Sequence, residues 1–334
     1  MPHDAAQVNI ESVTELTAYL RDEGRIGREE SPGITVLRGG VSNRTVLVER
    51  AQGEAWVVKQ ALAKLRVAAE WFSSPERIHR EALGLRELMA LLPDGAVPRF
   101  LWEDRARQIL AMEAIAPPHE NWKTMLFRGE IRRAHVQQFG QLLRALHHRA
   151  AERAAALEPA FRDVSFFESL RLEPYYAYAS NKNPSAVPFL RDLIAETRAT
   201  RSTLVHGDYS PKNILVKMNR LILLDHEVIH WGDPAFDLGF SLALLLSKAH
   251  HLKPYRKEFM EAAKLYWQSY DDPAHERRVV RHTLACLLAR VDGRSPLEYL
   301  NEDERRAQRA AALRLIASPP QAVEELTEQF VACL

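Results

Sequence analysis

The sequence predicts an α+β fold of two lobes, a small antiparallel-sheet N-terminal lobe and a larger, mainly helical C-terminal lobe, divided as 1–115 and 116–334. Three observations predict it. Short alternating apolar runs bounded by glycine turns occupy the start of the chain, and apolar residues at helical spacing dominate after Arg132. Between the helical stretches lies a hairpin-like segment that carries Asp208, Asn213 and Asp225.

In chain order, 34–38 reads as a strand that ends at Gly39-Gly40, 45–49 alternates again, and 55–59 follows a Gln52-Gly53 turn, which places Lys59 on a third strand. Ser74 and Pro75 suit the N-cap and first position of a helix running towards Leu92-Pro93. Ala82, Leu85 and Met89 recur at helical spacing and are expected to face the sheet, with Glu81 beside them. Segments 99–103 and 108–113 form another strand pair, after which Met112, Glu113 and Ile115 lead to Pro117-Pro118.

The second lobe opens with 132–148, where Val136, Phe139, Leu143 and Leu146 lie on one helical face. Residues 149–158 continue the helix into a linker. A nearly continuous apolar run at 238–246 is followed by helical patterns at 255–270, 276–291, 301–315 and 322–331.

The chemistry concentrates in Leu204-Val205-His206-Gly207-Asp208-Tyr209-Ser210-Pro211-Lys212-Asn213 and in Leu223-Leu224-Asp225. Asp208 and Asn213 are five positions apart, as in the catalytic loop of kinases, and Pro211 stiffens the turn between them. The apolar stretches 214–216 and 221–224 form a hairpin that returns Asp225 beside Asn213. Phosphoryl transfer needs a group to position the acceptor hydroxyl and oxygen ligands for magnesium, and these three residues fit those roles.

His206-Gly207-Asp208 through Asn213, Asp225, and Gly232-Asp233-Pro234-Ala235-Phe236-Asp237-Leu238 together resemble the aminoglycoside phosphotransferase and choline kinase family. The resemblance runs from about Leu37 to the helices after Asp237 and is most specific in the central segment. It implies a protein-kinase-like fold, ATP and Mg²⁺ as cofactors, and a hydroxyl of a small molecule as acceptor. By the same resemblance Asp208 is the catalytic base, Asn213 and Asp225 hold the metal, and Asp237 braces the catalytic loop. Gly40, Ser42 and Asn43, after Gly39, correspond to a short phosphate-binding turn; Lys59 grips phosphates and pairs with Glu81. Met112, Glu113 and Ile115 match the hinge that meets adenine. His226 stands where protein kinases carry Phe, so a switch based on packing of that Phe is not expected. The stretch 58–62, with Trp71 and Glu81, is also similar to the N-terminal lobe of methylthioribose kinases.

Composition fits this picture. The 334 residues carry 45 basic and 44 acidic side chains, a formal net charge of +1, so no global field points to nucleic acid or a membrane. The sequence shows no signal peptide and no apolar stretch of spanning length. Two cysteines make no disulfide framework, and a cytoplasmic enzyme is expected. The paired histidines at 147–148 and 250–251 lack neighbouring ligands that would complete a zinc set.

Only a short stretch separates Asp225 from Asp237, which disfavours a protein kinase with its long activation segment. A pseudokinase is disfavoured because lysine, base and metal ligands are all present. Arg277, Arg278, Arg281, His282 and Arg290 make one late helix basic, with Asp271, Asp272 and Glu276 just before it. That mixture suggests a neutral or anionic hydroxylated acceptor, sugar-like rather than polycationic, or alternatively a solvated helix face.

Overall fold

The computed structural model describes residues 8–37, 40–67 and 70–334. The chain divides into two compact units, Met1–His119 and Glu120–Leu334.

In the first unit, helix α1 (Val13–Asp22) precedes β1 (Gly33–Val36), β2 (Asn43–Glu49), β3 (Ala55–Ala61), α2 (Arg77–Leu91), β4 (Phe100–Asp104) and β5 (Ile109–Glu113). The strands form one antiparallel sheet in the order β1-β2-β3-β5-β4. Alternation works as expected on β2, where Val46 and Val48 are fully buried, and Val58 of β3 joins them with Trp56, Trp102 and helix α1. Helix α1 was not legible from the sequence, although Ser12 caps it and Leu16, Tyr19 and Leu20 form its buried face.

Two expectations for α2 are corrected. The helix begins at Arg77 rather than at Pro75, because Ser74 closes a preceding turn in which its hydroxyl accepts the Glu76 N–H at 3.3 Å. Met89 is 42% exposed and meets only the edge of the sheet, its sulfur accepting the Phe100 N–H of β4 at 3.5 Å; Ile78, Glu81, Ala82, Leu85 and Leu88 form the buried face. One helical step of 100° carries residue 89 past the rim that residue 88 occupies.

The second unit begins with β6 (Glu120–Asn121), α3 (Trp122–Phe127), α4 (Arg133–Glu152) and α5 (Ala154–Phe161). Next, α6 (Ser165–Phe167) runs into a π-helical segment, Glu168–Ala177, and out through α7 (Tyr178–Lys182) to α8 (Val187–Ala199). Short strands β7 (Thr203–Val205), β8 (Ile214–Lys217), β9 (Arg220–Leu223) and β10 (His230–Gly232) follow. They form two small sheets, β10-β7 and β6-β8-β9. The unit finishes with α9 (Pro234–His251), α10 (Arg256–Tyr270), α11 (Glu276–Asp292), α12 (Glu302–Ala317) and α13 (Val323–Ala332).

The apolar run of α9 explains its position, since every residue from Pro234 to His250 is buried. It packs against α10, α11, α12 and α13 and is the core of the unit. Gly239 lets α11 approach closely, for a Cβ there would lie 2.4 Å from the Cβ of His282. Val136, Phe139, Leu143 and Leu146 of α4 are buried as their spacing predicted. Asn301 and Glu304 start α12 with a reciprocal capping box.

Candidate active site

The loop between β7 and β8 is tied down at every step. Asp237, on the first turn of α9, accepts the His206 N–H at 2.7 Å on Oδ2 and the Gly207 N–H at 2.8 Å on Oδ1. Its Oδ2 also meets His147 Nε2 at 3.2 Å, while His147 Nδ1 meets the Tyr270 hydroxyl at 2.9 Å. Burial would raise the Asp237 carboxyl, but the bond and charge of His147 outweigh it and hold the group below the usual carboxylate range. Gly207 has φ +77, and a Cβ there would sit 2.9 Å from Val228 Cγ1, so glycine is required on both counts. Tyr209 stacks on Phe139 at 4.3 Å, donates to the Phe139 carbonyl at 2.7 Å and receives Ser241 on its own carbonyl at 2.6 Å.

This frame presents a buried Asp208 whose carboxylate is engaged on both oxygens. Oδ2 accepts Asn213 Nδ2 at 2.8 Å and lies 2.9 Å from Lys212 Nζ; Oδ1 lies 2.9 Å from Arg171 Nη2. Burial alone would raise its pKa, but Arg171 and Lys212 together overcome that and hold it below the ordinary range. Asp208 is therefore an anion at neutral pH. His206 Nδ1 accepts the Asp208 N–H at 3.2 Å, so in the neutral ring Nε2 carries the proton and points to His226 Nδ1 at 3.2 Å. Burial lowers the His206 pKa, consistent with a neutral imidazole. His226 thus serves as a hydrogen-bond partner where Phe would pack.

Asn213 also donates to the Asp208 carbonyl at 2.9 Å. With its amide N–H groups directed to Asp208, the carboxamide oxygen is the atom left for a cation. The β8–β9 hairpin turns at Met218 and Asn219, both with positive φ, and the Leu224 N–H closes on the Asn213 carbonyl at 2.8 Å. Asp225, the next residue, has φ +67, a left-handed conformation that Asp tolerates better than most residues. An Asn oxygen and an Asp carboxylate at the base of one hairpin are the hard oxygen donors that Mg²⁺ prefers, so the residues fit that ion.

In the first unit, Lys59 Nζ lies 2.5 Å from Glu81 Oε1, with Glu81 fully buried. The strand lysine and helix glutamate are brought together as the sequence suggested. Gly40 is exposed, whereas Ser42 and Asn43 are buried and bonded to each other, Asn43 Nδ2 to Ser42 Oγ at 3.3 Å. Gly39 lies outside the described residues. Met112 is buried on β5, Glu113 is exposed at its end, and Ile115 is half-buried just beyond it.

Sequence reasoning missed two arginines. Arg77, fully buried, donates to the carbonyls of Ser42, of Leu62 at 2.8 Å, and of Ser73 and Ser74 at 3.1 Å, so it organises the backbone around the glycine turn. Arg171, on the π-helical segment, donates to the Gly207 carbonyl at 2.6 Å as well as to Asp208. Its only trace in the sequence is its place between Leu170 and Leu172. The basic stripe on α11 proves to be divided: Arg278 pairs with Asp233 at 3.3 Å and Arg281 with Glu196, whereas Arg290 donates to the Tyr175 hydroxyl at 2.9 Å.

A five-stranded antiparallel sheet with an ion-paired strand lysine, followed by a helical unit with a braced Asp-Asn-Asp segment, defines a kinase-like bilobal α+β phosphotransferase. Residues 33–278 match the model of the phosphotransferase enzyme family, APH, and the chain belongs to that family. It is accordingly an ATP-dependent phosphotransferase with an alcohol group as acceptor. Methylthioribose kinase 2 of Oryza sativa subsp. japonica is 25% identical over 297 residues, 76% of this chain and 69% of that protein. Methylthioribose kinase of Erwinia tasmaniensis is 26% identical over 219 residues, 57% and 53% of the two chains. Among solved structures, amicoumacin kinase in complex with AMP-PNP, Ca²⁺ and Ami has a TM-score of 0.59 at 15% identity, covering 93% of this chain and 98% of that one. A choline/ethanolamine kinase family protein from Mesorhizobium loti has a TM-score of 0.54 at 18% identity, covering 94% and 99%. At those identities the structural likeness shows the fold. No helix among the described residues is long and apolar enough to cross a membrane.

Proposed function

We propose that the chain transfers the γ-phosphoryl group of ATP to a hydroxyl of a small, non-polycationic, sugar-like molecule, with Asp208 as the catalytic base. The observation that carries this reading is the Asp208 carboxylate, buried, ionised and fixed by Asn213, Lys212 and Arg171. A carboxylate so restrained is suited to orient a hydroxyl and accept its proton as the oxygen bonds to the γ-phosphorus and the bridging bond to ADP breaks. Asn213 and Asp225 would hold Mg²⁺, which supplies positive charge against the phosphate oxygens. In the first unit Lys59, oriented by Glu81, would bind phosphates; Gly40, Ser42 and Asn43 would lie along them, and Met112, Glu113 and Ile115 would meet the base.

The relatives named methylthioribose kinases support a sugar-like acceptor. Lys212 beside Asp208 supports the same reading against polycations, because a cationic acceptor would meet that ammonium at the base. The deciding experiment is an ADP-release screen over sugars, hydroxy acids, amino alcohols and antibiotics, with Asp225→Ala as blank. Turnover restricted to aminoglycosides or choline sinks the acceptor assignment. ATP binding with no acceptor-dependent ADP above the blank favours a nucleotide-binding pseudokinase module instead.

A further inference from the structure

We propose that Lys248 and Arg290, with Lys123 and Tyr299, form an anion-binding subsite beside the catalytic loop that receives a carboxylate or phosphate carried by the acceptor. The inference rests on the kinase reading above for the meaning of "acceptor", but the subsite itself stands on geometry within the helical unit.

Lys248 is only 2% exposed, in the last turn of the buried helix α9. Among the described residues no carboxylate lies within ion-pair distance of its ammonium, whose hydrogen bond is a 3.3 Å contact to the Leu244 carbonyl one turn back. A buried lysine without an acid is costly in its charged form, and an anion arriving from outside would offset that cost. Two further groups beside it are also incompletely used: Arg290 Nε and the Tyr299 hydroxyl are buried without a hydrogen-bond partner. Lys248 lies 5.6 Å from the ring of Phe127 and 5.7 Å from that of Tyr299, and Lys123 lies 5.8 Å from the Phe127 ring.

Three cations, Lys123, Lys248 and Arg290, thus stand with two acids around Tyr299: Glu298, which pairs with Lys123, and Glu304, which pairs with His251. The Lys123–Glu298 pair is the solvent-facing side of the cluster: the Glu298 side chain is 65% exposed and that of Lys123 34%. Burial, reinforced by the charges of Lys123 and Arg290, brings the Lys248 ammonium down to about 7, and Glu298 opposes the fall. The remaining charge is what an entering anion neutralises, with Glu298 swinging away into solvent.

The subsite is joined to the catalytic loop at two places. Arg290 donates to the Tyr175 hydroxyl, and the Tyr175 ring lies 5.7 Å from the guanidinium of Arg171, which holds Asp208. From the other side, Asn121, the cap of the helix that bears Lys123, donates to the Lys212 carbonyl at 2.7 Å. These contacts link the cluster to the residues that hold Asp208, so the acceptor class the proposal names is a hydroxylated acid or a sugar phosphate, its anion at Lys248 and Arg290 and its hydroxyl at Asp208.

The test has two arms. With ADP saturating, inorganic phosphate is titrated while the melting temperature is followed in wild type, Lys248→Met, Arg290→Gln and Asp208→Asn. The expected result is a phosphate-dependent rise in wild type and Asp208→Asn that weakens in the other two by about ten- to hundred-fold in apparent affinity. In the second arm, ADP release is compared for gluconate against gluconamide and for glucose 6-phosphate against glucose, which separates carboxylate from phosphate. The charged members are expected to have the higher kcat/KM, and Lys248→Met is expected to erase the difference through KM. Equal phosphate affinity in all four proteins overturns the subsite, as does turnover of neutral members at the rate of charged ones. A phosphate response that depends on Lys248, without ADP release from any of these acceptors, supports the subsite and removes the sugar-like acceptor assignment instead.

Discussion

Arg171 Nη2 lies 2.9 Å from Asp208 Oδ1 with both side chains almost wholly out of solvent, so the candidate base is one half of a buried ion pair. The pair is reinforced by the bond from Arg171 to the Gly207 carbonyl and by Lys212 on the opposite carboxylate oxygen. Charge at Asp208 is therefore fixed by its surroundings before any substrate arrives.

Replacing Arg171 by Met leaves Asp208 buried with one cation fewer. Breaking such a pair costs about 3–5 kcal/mol, expected as a fall in chemical-denaturation stability. The depressed carboxyl contributes stability above its unfolded pKa that is lost as pH falls through the folded value. Without Arg171 the folded value rises, so the acid limb of kcat/KM is expected to move to higher pH. An unmoved limb separates the Arg171 contact from the ionisation of Asp208.

Asp208→Asn keeps shape and removes the proton acceptor. Turnover with a verified acceptor is expected to fall by about 10²–10⁴-fold, with ATP affinity within a few-fold of wild type. Near wild-type turnover takes Asp208 out of the role.

Asp237→Ala removes the acceptor of two backbone N–H groups and the partner of His147. Unfolding free energy is expected to drop by about 3–5 kcal/mol, measured by urea denaturation. Asp237→Asn, which keeps one acceptor oxygen, is expected to lose less.

At Gly207, alanine meets both a positive φ and Val228. A loss of more than about 1 kcal/mol is expected, together with a fall in kcat, because the strained residue immediately precedes Asp208.

Lys248→Met is expected to stabilise the chain by about 1–4 kcal/mol at neutral pH, seen as a higher melting temperature. The folded lysine value is depressed, so the wild-type penalty is full below about 7 and fades as pH rises towards the ordinary lysine value of 10.5. The two melting curves are therefore expected to converge at alkaline pH.

Much of this site was legible because its residues are spaced by local geometry. Asp208, Asn213 and Asp225 are separated by a turn and a two-residue hairpin, and both leave sequence signatures. Lys59 and Glu81 could be matched because each lies on a regular element. Arg77 and Arg171 could not, since an arginine that serves buried carbonyls looks like a solvated one until the tertiary fold surrounds it. The stretch from Glu168 to Ala177 was unread for a related reason: a π-helical turn breaks the 3.6-residue period, and Pro174 within it signals an interruption. Residues 88 and 89 both satisfy the period, and only the sheet decides that Leu88 is buried while Met89 stays at its edge.

Helix α9 supplies Asp237 and Ser241 to the loop, yet its own burial depends on α10 to α13, which end at Ala332. During synthesis, Asp208 leaves the ribosome well before the helices that hold its brace in place. A chain cut short within the last helices therefore carries every motif residue, with Arg171 and Phe139 still able to hold the loop but with the helix that bears Asp237 left uncovered.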